Sequence, residues 1–210
     1  MMKDKKCKIC RRLSIKLFLK GERCLSPKCA MIKRPYSPGQ KSKKRRGNVS
    51  EYGKELKEKQ KLKNWYNLSE KQFRNYVKDI LEKGSKVENA GDALLRRLEG
   101  RFDNVVFQIG FAVSRPKARQ IISHGFFLLN GRKVNIPSCQ LKKGDKISLQ
   151  AEARKKISFQ NLSTLLKKHK APSWIKLDAD KLEAEIIGEP NLEEMTPPAE
   201  ISSIFEFYSK

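Results

Sequence analysis

The chain has 210 residues, of which 47 are lysine or arginine and 23 are aspartate or glutamate, giving a formal net charge of +24 at pH 7. A surplus of this size repels itself unless a polyanion binds it, so it favours a nucleic-acid partner. No stretch approaches the roughly 18 apolar residues of a membrane-spanning helix, and no apolar export signal opens the chain, so neither a membrane nor secretion is predicted.

The basic residues are concentrated in two blocks. Residues 1–50 carry 17 basic and 2 acidic side chains, and residues 96–160 carry 14 and 4, whereas residues 161–210 carry 6 and 9. A surface charged only for solubility would not be so uneven. Each basic block is therefore predicted to bind a polyanion.

Four cysteines near the amino terminus form two close pairs, Cys7 with Cys10 and Cys24 with Cys29. Two such pairs suit tetrahedral zinc, because each pair supplies two sulfurs from one turn. Two disulfides are an alternative, but a chain without an export signal is expected in a reducing compartment. Zinc is also favoured over an iron–sulfur cluster. The sequence thus predicts a structural Zn²⁺ with four cysteine ligands, serving folding and not catalysis.

Between residues 32 and 48 the composition changes to proline, serine, glycine, lysine and arginine. Like charges repel here and nothing apolar opposes them, so an arm without regular structure is predicted for the free protein. A linker or a targeting signal is the alternative, but insertion into an RNA groove accounts better for the charge. The predicted contacts are Lys41, Lys43, Lys44, Arg45 and Arg46.

The middle of the chain is predicted to be helical. Residues 51–66 carry an apolar side, and a capping box from Ser69 to Gln72 precedes apolar residues at helical spacing through Leu81. Asp92 is predicted to cap a further helix, since aspartate is a preferred residue at that position.

The next helix is predicted to begin at Asp103. Arg96, Arg97 and Arg101 are expected on the exposed side of the turns before it. Two roles are weighed equally for them: contact with RNA, and ion pairs with Glu99 and Asp103.

Residues 114–134 are predicted to form a short cationic helix followed by a tight hairpin. Ser114 can cap the helix, Gly125 can end it, and Asn130-Gly131 is a favoured hairpin turn. One side of the helix is apolar, and the basic side, with Arg115 and Arg119, is expected to face solvent and RNA. The predicted contacts are Arg115, Lys117, Arg119, Gln120, His124, Asn130, Arg132 and Lys133.

These elements predict an α+β fold: a mainly helical domain plus a small helix–hairpin RNA-binding module, preceded by a zinc-bound basic N-terminal arm. The zinc site and arm are assigned to residues 1–48. The helical domain and its carboxy-terminal return are assigned to residues 49–97 with 161–210. The RNA-binding module is assigned to residues 98–160.

The order of these signals resembles the small-subunit ribosomal protein S4 family in its bacterial, cysteine-bearing form. The resemblance covers the cysteine quartet, the basic arm, the helical middle and the module, and it extends to the carboxy terminus. The segments that carry it include Leu17-Phe18-Leu19-Lys20-Gly21, Glu70-Lys71-Gln72-Phe73, Arg101-Phe102-Asp103-Asn104-Val105-Val106, Ala118-Arg119-Gln120, His124-Gly125 and Glu206-Phe207-Tyr208-Ser209.

The resemblance implies a structural constituent of the small ribosomal subunit, located in the cytoplasm within the ribosome. It implies primary binding of small-subunit ribosomal RNA, nucleation of assembly and a contribution to decoding accuracy. It also implies that small-subunit ribosomal proteins three and five are neighbours, with messenger RNA nearby where it enters the subunit. No small-molecule substrate is expected.

Two other protein classes are alternatives. Some RNA-modifying enzymes and a tyrosyl-tRNA synthetase carry a similar module, but residues 161–210, which follow this one, are too few for a catalytic domain with a pocket. A zinc-dependent DNA-binding factor would need a histidine pair and a recognition-helix spacing that this chain lacks. The sequence therefore predicts an RNA-binding protein and not an enzyme.

Overall fold

The computed structural model describes residues 6–39, 48–82, 87–190 and 195–209. The predicted RNA contacts Lys41, Lys43, Lys44, Arg45 and Arg46 lie outside the described residues.

The described residues form helices and short antiparallel strands, as the α+β prediction required. The helices are α1 (Lys6–Leu13), α2 (Glu22–Leu25), α3 (Ala30–Lys33), α4 (Glu51–Trp65), α5 (Glu70–Glu82), α6 (Val87–Glu99), α7 (Phe102–Gln108), α8 (Arg115–Ser123), α9 (Ala151–Arg154), α10 (Leu162–Lys168) and α11 (Ile201–Ser209). The strands are β1 (Phe127–Leu129), β2 (Arg132–Val134), β3 (Lys146–Leu149), β4 (Ile175–Asp178) and β5 (Glu183–Ile186), and a 3-10 turn covers Ile157–Phe159.

The chain divides into two compact units, residues 1–94 with 196–210 and residues 95–195. This division differs from the predicted boundaries in two ways. The amino-terminal segment and the helical middle belong to one unit, and residues 161–195 belong to the unit that contains the hairpin. The second difference arises because β5 pairs with β3, so β4 and β5 extend the sheet of that unit.

The first unit is built on α4, α5 and α11. Both long helices begin at a serine cap: the Gly53 N–H donates to Ser50 Oγ at 3.2 Å, and the Gln72 N–H donates to Ser69 Oγ at 3.2 Å. Phe73, Val77 and Ile80 of α5 are buried, as their helical spacing predicts. Helix α11 packs against α4 and α5.

A cluster of ionic and aromatic contacts ties α11 to the other two helices. Glu70 accepts hydrogen bonds from Lys59 Nζ at 2.6 Å, from Lys63 Nζ at 2.9 Å and from Tyr208 Oη at 2.8 Å. The Lys59 ammonium, which is buried, also stands 4.2 Å from the centre of the Phe207 ring. Partial burial alone would raise the pKa of Glu70, but these hydrogen bonds outweigh it and hold the pKa at about 2.

The second unit contains one antiparallel sheet in the order β2-β1-β3-β5-β4. Asn130 and Gly131 form the β1–β2 turn with φ angles of 51° and 79°, so the predicted turn is confirmed. The buried core of this unit joins α7 and α8 to one face of the sheet, and it includes Val105, Val106, Ala118, Ile122, Phe127, Ile147, Leu149, Ala184 and Ile186.

Three predicted caps are absent from the structure. Asp92 lies inside α6, which begins at Val87, five residues before the predicted start. Ser114 occupies the cap position of α8, but its side chain accepts no capping hydrogen bond there. Asp103 lies in the first turn of α7, and Arg101 occupies the cap position before it. Asp103 has a different role because its carboxylate pairs with a buried arginine.

No helix in the described ranges is long and apolar enough to cross a membrane.

Replacing Glu70 with glutamine is expected to weaken the link between α11 and the rest of its unit. The folded-state pKa of Glu70, about 2, lies below its ordinary value of 4.5, so its stabilisation is complete above pH 4.5 and is lost as the pH falls towards 2. Because 46% of the side chain is exposed, the loss at pH 7 is expected to be at most about 1 kcal/mol. Urea unfolding at pH 7 and pH 3 measures it.

Glu82→Gln is the matched control, since Glu82 pairs with Lys78 within α5 on the surface. Its effect is expected to be below about 0.5 kcal/mol at either pH. Equal losses in the two variants at pH 7 would contradict a special role for Glu70.

Candidate RNA-binding surface and cysteine site

Helix α8 places its polar residues on the surface by burying the opposite side. Ala118, Ile121 and Ile122 are buried, as predicted from their spacing, and Pro116 lies in the first turn, where no backbone donor is needed. Gln120 and His124 are exposed, and Lys117 and Arg119 are partly exposed. The helix therefore presents four of its predicted contacts to solvent.

The hairpin adds two exposed cations, Arg132 and Lys133, at the carboxy-terminal end of α8. Gly125 joins the helix to β1 with a φ of +69°, a conformation that glycine adopts without strain. A Cβ at this position would stand 2.5 Å from Lys133 Cε, so the lysine stem lies directly over the glycine. The absence of a side chain at Gly125 thus leaves room for Lys133, so the hairpin can pack close to the end of α8.

Asn130 is exposed at the hairpin turn, but its amide already has partners. Its Nδ2 donates to Asp145 Oδ1 at 2.8 Å, and its Oδ1 accepts from the Lys146 N–H at 2.8 Å. This side chain joins the turn to the start of β3. Its position supports a structural role in shaping the hairpin.

The prediction that Arg115 faces solvent is wrong. The residue is 9% exposed, its Nε donates to Asn104 Oδ1 at 2.7 Å, and its guanidinium lies 4.6 Å from the centre of the Phe107 ring. The side chain turns inward because α7 supplies both a hydrogen-bond acceptor and an aromatic face.

The prediction that Arg101 is exposed is also wrong, and the ion-pair alternative is the correct one. Arg101 is fully buried, and its Nε and Nη2 donate to the two carboxylate oxygens of Asp103 at 3.0 and 2.8 Å. Its backbone forms a β-bridge with Gln140. A buried arginine needs such a two-point partner, because an unpaired charge in the core is costly. Arg97 remains partly exposed.

The four predicted metal ligands line one cavity of about 20 Å³. Cys10 and Cys29 are buried, Cys7 and Cys24 are partly buried, and all four are free thiols. The Lys20 backbone N–H donates a hydrogen bond to Cys24 Sγ at 3.4 Å. Burial raises the pKa of Cys10, and the neighbouring cysteines raise it further, so a cation is the ligand that would favour its thiolate.

The thiols share a cavity, but they are not arranged as a complete coordination site. Within the described part of the chain, no three His, Cys, Asp or Glu side chains are grouped so that they could hold a metal ion. The donor set of four cysteines around one small cavity nevertheless fits zinc in chemistry and number.

Comparison with known families decides the assignment of the chain. Residues 1–99 match the ribosomal protein S4/S9 N-terminal domain, and residues 100–147 match the S4 domain. The small ribosomal subunit protein uS4 of Kosmotoga olearia is 43% identical over 204 residues, which is 97% of this chain and 96% of that protein. The protein of the same name from Thermus thermophilus is 43% identical over 206 residues, with the same coverage.

The chain belongs to the ribosomal protein S4 family. This is a family of ribosomal structural proteins, so the alternatives of an RNA-modifying enzyme and of a DNA-binding factor are set aside. The S4 domain match ends at residue 147, within β3. In this member of the S4 family the sheet continues beyond the match through β5 and β4.

A further basic segment, which the sequence patterns did not indicate as part of the surface, lies beside Phe126. Arg154, Lys155 and Lys156 are all exposed, and Lys156 Nζ stands 3.9 Å from the centre of the Phe126 ring. The run of three cations after β3 was readable in the sequence. Its position beside Phe126 was not, because thirty residues of chain separate them.

A buried polar network links α6, α7 and α8 beneath the basic surface. Glu99, which is 1% exposed, accepts a hydrogen bond from Asn104 Nδ2 at 2.6 Å and another from Gln108. Asn104 in turn accepts from Arg115 at its Oδ1. The network thus fixes the first residue of α8 against the preceding helices.

Asn104→Ala is expected to destabilise the second unit by about 2–4 kcal/mol, because a carboxylate and a guanidinium would each lose a buried partner. Urea unfolding of the full chain followed by circular dichroism measures this loss. Asn135→Ala, in an exposed loop position, is the matched control and is expected to change stability by less than about 0.5 kcal/mol. Similar values for the two variants would show that the network contributes nothing.

Proposed function

We propose that this chain is a structural constituent of the small ribosomal subunit, acting in the cytoplasm within the ribosome by binding small-subunit ribosomal RNA. One observation carries the proposal: a member of the S4 family presents exposed cations on a rigid helix and hairpin of its S4 domain. Its relatives are named small ribosomal subunit proteins. Neither catalysis nor a small-molecule substrate is part of the proposal.

The proposed RNA contacts follow from which side chains are accessible. On the S4 domain they are Lys117, Arg119, Gln120, His124, Arg132 and Lys133, and Arg97, which precedes the domain in sequence, is a further proposed contact. Cations spaced along such a scaffold bind phosphates, while the shape of folded RNA gives specificity. Arg101 and Arg115 act indirectly, by holding the scaffold. The cations of residues 41–46 are proposed as further phosphate contacts because of their charge alone.

The finer role is proposed from the family resemblance. Early, direct binding of RNA would nucleate assembly, and a position near messenger RNA entry would let the protein contribute to decoding accuracy. Small-subunit ribosomal proteins three and five are the proposed neighbours. The sheet face opposite the core supports a protein contact, because Lys146, Glu185 and Lys176 lie side by side on adjacent strands and offer both charge signs.

We also propose that Cys7, Cys10, Cys24 and Cys29 hold a structural Zn²⁺. The ion would supply a cross-link between α1 and the segment from α2 to α3. The apolar core beneath the cysteines is small, with Leu17 and Leu19 buried beside Cys10, so a metal would add stability that this segment's own core cannot provide.

Replacing Lys117 and Arg119 together with alanine is expected to weaken binding to a small-subunit ribosomal RNA transcript. Each lost phosphate contact should make the plot of log K against log salt less steep, by roughly 0.7 to 0.9, the range between single-stranded and duplex nucleic acid. Filter binding over a series of salt concentrations measures both quantities, and thermal melting confirms that the variant folds.

A double variant of Lys142 and Lys176 removes the same charge from exposed positions outside the proposed surface. It is expected to keep the affinity and most of the salt slope. If the two double variants weaken binding equally, net charge and not the α8 surface governs binding.

The zinc proposal predicts about one zinc ion per chain, because four cysteines complete one tetrahedral site. Elemental analysis of protein purified without added metal measures the content. Chelation is expected to remove hydrogen-exchange protection from residues 6–39 and to leave the S4 domain protected. Cys24→Ser should abolish zinc binding, whereas Cys139→Ser, at a separate thiol, should not. Equal protection with and without chelator would contradict the proposal.

A further inference from the structure

The ring of Phe126, which follows α8, is held by three other side chains. It lies nearly parallel to the His124 ring, with an interplanar angle of 20° and centroids 5.6 Å apart. Lys156 Nζ stands 3.9 Å from its centre, and Phe159 meets it edge-on at 88°. Phe126 is therefore fixed, and it supports the imidazole of His124 from one side.

His124 itself is exposed, although an aromatic ring supports it. It ends α8, and its backbone N–H donates to the Gln120 carbonyl at 3.1 Å, which fixes the position of its Cα. A flat side chain held in this way loses little conformational entropy when a ligand covers it.

Cations lie close to both rings of the His124–Phe126 pair. Lys133 extends over Gly125, one residue from His124, and Lys156 lies on Phe126 with Lys155 next to it in sequence. All three lysines are exposed. Cations that flank a flat ring match a nucleotide, which offers a π face and a phosphate on either side.

We propose that His124, supported by Phe126 and Lys156, stacks on an unpaired base of the small-subunit ribosomal RNA. The inference rests on the proposed function and deepens it, because it adds a base contact to a surface otherwise described by phosphate contacts. Duplex RNA would leave the ring without a partner, since its bases are stacked within the helix. The site therefore selects a loop, bulge or strand end.

Two variants of the full-length protein test the stack on a small-subunit ribosomal RNA transcript. His124→Ala removes the ring and is expected to weaken Kd about 5- to 150-fold, the range for losing one base stack. The salt slope should stay unchanged, because no phosphate contact is lost. His124→Phe keeps a flat ring and is expected to restore most of the affinity.

Phe126→Leu tests the support beneath His124. It keeps an apolar side chain of similar size but removes the ring face, so it is expected to weaken RNA binding by less than His124→Ala does. Should this variant melt early, the exposed His124 variants still decide the question, and their thermal melting is expected to match the parent protein.

The outcomes separate this inference from the proposed function. If the parent protein fails to bind the transcript in preference to heparin, the proposed function fails. If the parent binds and His124→Ala binds equally well, only the stack is overturned. A His124→Phe variant as weak as His124→Ala would also overturn it, as would a His124→Ala salt slope reduced by about one unit, which would indicate an ionic contact.

Discussion

Repulsion among cations is the constraint on which this structure depends. A chain with a net charge of +24 must fold while keeping most of its basic side chains available. The structure separates the two tasks. Lys59, Arg101 and Arg115 are buried against partners that hold the helices in place, whereas Lys117, Arg132 and Lys133 are held at the surface. Because these three side chains are buried and already paired, they are not available to contact RNA. Removing one of their partners would leave an uncompensated charge inside the protein.

Elements with strong local signals could be predicted from the sequence. The apolar spacing of α5 and α8 and the Asn130-Gly131 turn each depend on residues close in the chain, and the structure confirms them. The exposure of Arg115 could not be predicted in the same way. Its acceptor, Asn104, lies on another helix, and periodicity within α8 does not show which side another helix covers. Strands β4 and β5 alternate charged with apolar residues, which is typical of a half-buried strand, but each has only four residues, too few for a distinct signal.

The candidate site shows the same division between local and long-range information. The cations of α8 and the hairpin were predicted because each residue type sits in a recognisable local pattern. The contact of Lys156 with Phe126 depends on pairing β1 with β3, which brings the segment after β3 back to the α8 end. The cysteine quartet is the opposite case: its spacing predicts zinc, and the structure shows one shared cavity without a complete ligand group among the described residues. Zinc binding by the quartet thus stays a prediction from the spacing.

The buried, paired cations and the exposed cations also respond differently to salt. The Arg101–Asp103 pair is removed from solvent, so dissolved ions screen it little. The exposed lysines and arginines of α8 and the hairpin are screened within about 10 Å at 0.1 M salt, and the binding to phosphates that we propose for them would depend on counterion release. Moderate salt therefore acts on the RNA-binding surface before it acts on the scaffold beneath. A protein built in this way can exchange its polyanionic partner without unfolding, because the charges that bind and the charges that hold the fold are different side chains.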